Sequence, residues 1–130
     1  MWLGVKNALL YFLMNELLRA SREGDEIEAK RLLDYGADVH SRNQYQRTPL
    51  HHAENEAIAK LLLNHGADVN ARDQWQDTPL HLAGNVAIAR LLVNRGAQLT
   101  AVDQNGQNFL HLAAEYAKLD LCLFLTASRV

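Results

Sequence analysis

The sequence predicts an all-α fold, a solenoid of stacked helix-turn-helix units joined by projecting loops, and three observations carry that prediction. First, Thr48-Pro49-Leu50-His51 recurs thirty positions later as Thr78-Pro79-Leu80-His81, and in weakened form as Asn108-Phe109-Leu110-His111. Second, Tyr35-Gly36-Ala37-Asp38-Val39-His40 recurs at the same spacing as His65-Gly66-Ala67-Asp68-Val69-Asn70 and Arg95-Gly96-Ala97-Gln98-Leu99-Thr100. Third, Ile58, Leu61 and Leu62, and again Ile88, Leu91 and Leu92, form an apolar stripe at i, i+3, i+4. Two motifs at one period mark a repeat architecture, in which each unit needs a neighbour to bury its stripe.

Within the unit each residue type has a local reason. Thr48 and Thr78 suit the cap of a helix that places Pro49 or Pro79, the only prolines, at its first position. The striped segment is the second helix. Gly36, Gly66 and Gly96 then stand where a left-handed residue ends it, and the polar stretch beyond reads as an extended turn. Asp38 and Asp68 are expected to order that loop.

Composition bounds the whole. A chain of 130 residues with 48% hydrophobic content holds one compact unit. A formal net charge of -2 lacks the positive field of a nucleic-acid binder, so nucleic acid is not an expected partner. The single cysteine, Cys122, has no internal partner for a disulfide, and the cytosol is the expected compartment. Ala8 to Met14, after Lys6, superficially resembles a signal-peptide core. No small-x-small cleavage site follows, however, and the run is far below the roughly 20 residues that span a bilayer. It reads as a helix with an unusually apolar surface.

The segments TPLHHA, TPLHLA, GADVH and LLLNHGADVNARD resemble the ankyrin repeat over nearly all of residues 15 to 130. That resemblance implies an ankyrin-type solenoid of antiparallel helix pairs, with β-turn finger loops at right angles and a concave face that binds proteins. It divides the chain into an apolar N-terminal helical extension (1–14), a first capping repeat (15–47), second and third repeats (48–77 and 78–107) and a C-terminal capping repeat (108–130). The IAKLLL and IARLL segments look like those of microbial ankyrin proteins, which makes a secreted effector the alternative to a cytosolic protein.

Departures from the family pattern are informative. The usual period is 33, and here it is 30. Ala20 to Gly36 spans 16 positions whereas Ala53 to Gly66 and Ala83 to Gly96 span 13, so the inner helix of both central repeats should be about one turn shorter. In the fingers the pattern D-x-x-G-x-T is met by Asp103 to Asn108, but Gln46 and Gln76 replace the glycine elsewhere. Either those glutamines keep positive φ at a cost of roughly 1 kcal/mol each, or the tips adopt another turn.

The stack must also be closed at its ends. Asn15 to Asp25 resembles an N-terminal ankyrin cap, preceded by Trp2, Leu3, Val5, Leu9, Leu10, Tyr11, Phe12 and Leu13. This segment either extends the first helix and folds over the end of the stack, or offers a surface for self-association through residues 2–13 or for a membrane. At the other end Leu119, Leu121, Cys122, Leu123, Phe124 and Leu125 form either a cap or the stub of a longer array.

His51, His81 and His111 form a row, but repeats lie about 10 Å apart, too far for two imidazoles to share one zinc. The family resemblance implies instead a hydrogen-bonding role within and between repeats. His52 replaces the family's usual leucine, and His65 sits at an outer-helix end where a cation suits the dipole. No nucleophile elbow or phosphate loop occurs, so neither enzyme activity nor a cofactor or metal is expected. The fingers are the candidate site for a protein partner. Tyr45 and Trp75 occupy equivalent positions, flanked by Gln44, Gln74 and Gln104 in one row and by Arg42 and Arg72 in another. The aromatics serve either recognition or packing between loops. Arg47 and Asp77 correspond and are expected to face each other across repeats, and Asn105, Glu115 and Tyr116 complete the predicted surface.

Overall fold

The computed structural model describes residues 2–115, with side chains from 4 to 112, and every described element is helical. Helix α1 spans Trp2–Glu23, α2 Glu26–Asp34, α3 Glu56–Asn64, α4 Val86–Asn94 and α5 Phe109–Glu115. The chain is thus a solenoid of stacked helices, the architecture its repeats predict. Contacts run between neighbours along the stack: α1 packs on α2, α2 on α3 and α3 on α4.

The outer helices α2, α3 and α4 begin and end alike. Asp25, Asn55 and Asn85 are their N-caps, each accepting a hydrogen bond from the backbone N–H three residues on. Each ends in a Schellman arrangement. For α2, Ala37 N–H donates to Leu32 O and Gly36 N–H to Leu33 O, both at 3.0 Å, and α3 and α4 repeat the pattern at Gly66 and Gly96. The three glycines lie at φ of 101°, 92° and 99°, where a side chain would be strained, as the sequence pattern anticipates. Past Gly36 and Gly66, Asp38 and Asp68 accept from the N–H of His40 and Asn70.

The central inner helices are shorter than expected. Pro49–His52 is a 3-10 turn, and residues 79–82 form only hydrogen-bonded turns. His51 N–H bonds to Thr48 O and Ala53 N–H to Leu50 O, all i to i-3, with the same ladder at His81, Leu82 and Ala83. The reason is space. Between Thr48 and the Asn55 cap too little chain remains to close successive i to i-4 rings. In the last repeat Leu112 N–H reaches Asn108 O, i to i-4, and α5 is α-helical. Thr48 is the N-cap of the Pro49–His52 turn in a capping box with His51, whose Nδ1 accepts from Thr48 N–H and lies 3.0 Å from Thr48 Oγ1.

The core is a continuous apolar column through the stack, including Leu17, Leu32, Leu50, Ile58, Leu62, Leu80, Ile88, Leu92 and Phe109. In α1 the two halves differ. Leu13, Leu17 and Ala20 are buried, whereas Val5, Leu9, Leu10, Tyr11 and Phe12 stay exposed, Val5 by 67%. One unbroken helix carries both halves. On the outward face of the first pair, Glu28 and Arg31 form an ion pair (3.2 Å) at the positions of Ile58 and Leu61 in the next repeat. That exchange of apolar for charged residues suits the end of a stack. Residues 116–130, including the sequence-predicted C-terminal cap, lie outside the described residues.

Candidate functional site

Each finger is shaped by its first side chain. Asn43 Oδ1 accepts from the N–H groups of Tyr45 (2.9 Å) and Arg47 (3.1 Å). Asp73 Oδ1 does the same for Trp75 and Asp77, and Asp103 Oδ1 for Asn105 and Gln107. Gln46 N–H donates to Asn43 O and Asn43 N–H to Arg47 O, closing the turn. The fourth residue then takes positive φ: Gln46 at 63°, Gln76 at 65° and Gly106 at 74°. Of the two conformations open to the glutamines, the strained one is adopted, because the clamp and both backbone bonds require it.

Neighbouring fingers are stitched together. Gln74 N–H donates to Tyr45 O and Gln104 N–H to Trp75 O, each at 3.0 Å. Arg42 Nη1 bridges the carbonyls of Gln46 and Arg72 at 2.7 Å, and Arg72 Nη1 bridges those of Gln76 and Val102. Both arginines therefore staple one finger to the next. Their row lies where the repeat placed it, with guanidinium donors engaged by backbone.

Tyr45 stacks on Trp75, ring centroids 5.6 Å apart and planes 27° from parallel. Arg47 lies over Trp75, its guanidinium carbon 5.1 Å from the ring centroid. Its Nε pairs with Asp73 Oδ2 at 3.0 Å, and this corrects the expected pairing of Arg47 with Asp77. The Asp73 carboxylate is fully buried, and after one oxygen clamps the turn the other needs a counter-charge. Tyr45, Gln44, Gln74, Gln104 and Asn105 are exposed along the finger row, whereas Trp75 is half-buried. Glu115 ends α5, but its side chain and the whole of Tyr116 lie outside the described residues.

The histidines tie each inner turn to the finger that ends its repeat. His51 Nδ1 accepts from Thr48 N–H (3.0 Å), which places the proton on Nε2 for donation to Asp77 O (2.9 Å). His81 repeats this with Thr78 and Gln107 O. Burial, above all, holds the His51 imidazolium form down. At the C-terminal edge of α3, His65 Nδ1 meets Leu61 O at 2.9 Å.

Beneath the second and third fingers lies a cleft of 290 Å³ where Asp77, His81 and Asp103 approach. Their ligand atoms lie within 4.8 Å of one another, the one grouping with metal-ligand spacing among the described residues. A metal would have to displace a bond of His81, whose two nitrogens are both engaged. Among the described residues the buried Asp77 Oδ1 has no hydrogen-bond partner. Burial first, and then the Asp73 and Asp103 carboxylates, push the Asp77 pKa up to about 6, against the pull of His81. Asp103 goes the other way: its own partial burial opposes the shift, but the N–H groups of Gln107 and Asn105 hold it below the usual range. The two neighbouring carboxyls thereby shift in opposite directions.

A second cleft, of 410 Å³, opens where the inner helices are curtailed, lined in part by Arg22, Arg47, His52 and Glu54. Neither cleft follows from a motif. The finger clamps Asn43, Asp73 and Asp103 were also missed as structural residues, although their recurrence at the repeat period before each tip was a usable signal.

Compared with known proteins, residues 6–73 and 71–129 match the family model of ankyrin repeats (3 copies). No curated protein matches the chain.

Proposed function

This chain belongs to the ankyrin repeat family, whose members are generally non-catalytic protein-interaction modules, and we propose that it binds a protein partner through its finger row and concave face. The observation that carries the reading is the Tyr45–Trp75 stack with Arg47 against it. Aromatic and arginine side chains on a support that needs no ordering are favourable anchors, because little side-chain or loop entropy remains to be lost on binding. The finger-to-finger backbone bonds and arginine staples supply that support. Gln44, Gln74, Gln104 and Asn105 form a polar rim around the pair.

The test is affinity capture of the partner, followed by titration with Tyr45→Ala and Trp75→Ala. A loss of tenfold or more for the double variant, with unchanged helical circular dichroism, is expected. Undiminished affinity in a folded double variant would sink the finger reading.

A second reading is favoured by α1, which exposes Val5, Leu9, Leu10, Tyr11 and Phe12 along its first half. A patch of that kind suits self-association, or attachment to a membrane surface. No helix among the described residues is long and apolar enough to cross a membrane. Sedimentation and vesicle flotation of the chain with and without residues 1–13 separate these: loss of dimer or vesicle binding on truncation supports the second reading, and unchanged behaviour removes it.

A further inference from the structure

Resting on the protein-binding reading, we infer that the cleft opened by the curtailed inner helices seats an acidic side chain of the partner, its carboxylate received by Arg22 and His52. The deletion of a helical turn does more than remove surface. It leaves a 410 Å³ recess whose wall comes from three successive units: Arg22 from α1, Arg47 and His52 from the first finger and its turn, and Asn85 from the cap of α4. That volume lies within the range of about 300–1,000 Å³ typical of small ligand pockets, ample for one side chain.

Arg22 and Arg47 outnumber Glu54 among the charged residues of the wall, although the chain as a whole carries -2. Arg22 has no ion pair among the described residues, and Arg47 commits its Nε to Asp73. Glu54 is the one acidic residue on the lining. A carboxylate held here is therefore drawn by a local field, since the net charge of the chain repels it.

His52 supplies the more specific argument. Asn43 Oδ1 accepts two backbone N–H bonds, which orients its amide and turns Nδ2 toward His52 Nε2 at 3.2 Å. An amide nitrogen only donates, so Nε2 accepts and the neutral ring carries its proton on Nδ1. That donor has no partner among the described residues. The following repeat has Leu82 at the same position, so packing alone does not call for a histidine. Burial first, and then the nearby charges of Arg22 and Arg47, push the His52 pKa down to about 4. A carboxylate in the cleft reverses that field and raises it.

Hexaglutamate is the probe, with hexaserine and inorganic phosphate as comparators, and the readout is the His52 ring resonance of the full chain. Expected are saturable binding of hexaglutamate at low salt, a rise of one unit or more in the His52 pKa, and at least a tenfold loss of affinity in Arg22→Gln. Lys60→Gln, on the exposed side of α3, should stay within twofold. Should Arg22→Gln not fold, His52→Leu takes its place, its affinity read by titration calorimetry, with at least a threefold loss expected. The inference is overturned if hexaglutamate leaves His52 unmoved, if hexaserine or phosphate binds as well, or if Lys60→Gln weakens binding as much as Arg22→Gln. Because the probe does not depend on the natural partner, its failure removes the cleft while the test on Tyr45 and Trp75 still stands.

Discussion

His51 Nε2 lies 2.9 Å from the carbonyl oxygen of Asp77, so a side chain at the inner turn fastens the finger at the far end of its own repeat. The same ring accepts Thr48 N–H through Nδ1. His51→Leu would leave both backbone groups unpaired, and a loss of about 3 kcal/mol in urea unfolding is expected. His111, exposed and bonded through Nδ1 to Asn108 N–H, should lose less than about 1 kcal/mol on the same change.

Among the described residues Arg47 is the only counter-charge in an ion pair with the buried Asp73. Arg47→Leu strands that carboxylate and is expected to destabilise by about 3 kcal/mol, mostly recovered by adding Asp73→Asn. Thermal unfolding of both singles and the double checks the coupling. Additive losses would show that the pair does not act as a unit.

Two groups give opposite pH dependences. The folded-state pKa of Asp77, about 6, lies above its ordinary 3.8, so the stability it contributes is present below about 4 and lost as pH rises to 6. His52, at about 4 against an ordinary 6.5, contributes stability above 6.5 that is lost as pH falls toward 4. The two slopes offset each other in the wild type. Relative to it, Asp77→Asn should gain about 1 kcal/mol at pH 7.5 and almost nothing at pH 4, allowing for solvent screening. His52→Leu should do better at pH 4.5 than at pH 7.5 by a similar amount. Denaturation midpoints across pH 4–8 measure both.

Backbone strain separates two further substitutions. Gln76→Gly relieves positive φ at a fingertip but frees the unfolded chain, and a net gain of about 0.5 kcal/mol is expected. Gly24, at φ 71°, differs because a Cβ there would come within 2.8 Å of Asn55 Nδ2, the cap of α3. Gly24→Ala should therefore cost about 2 kcal/mol, against about 1 for Gly36→Ala, whose site is open. Equal losses in calorimetry would show that the Asn55 contact yields freely.

Features confined to one segment were legible in the chain itself. Stripe spacing, cap residues and terminal glycines act within a turn or two of backbone, so the recurrence of Ile58 with Ile88 and of Gly36 with Gly66 and Gly96 determined the helices, their ends and the stacked architecture. Tertiary structure decided what depends on distances across a repeat. Arg47 finds Asp73 rather than Asp77 because the finger turn buries one carboxylate and leaves it an oxygen to spare, a contact 26 residues away that no local pattern encodes. The missing residues of the inner helices were countable in advance, but whether they left a shorter α-helix or a 3-10 turn beside an open cleft depended on the Asn55 and Asn85 caps. Those caps start the outer helices too soon after the proline turn for an α-helix to form between them.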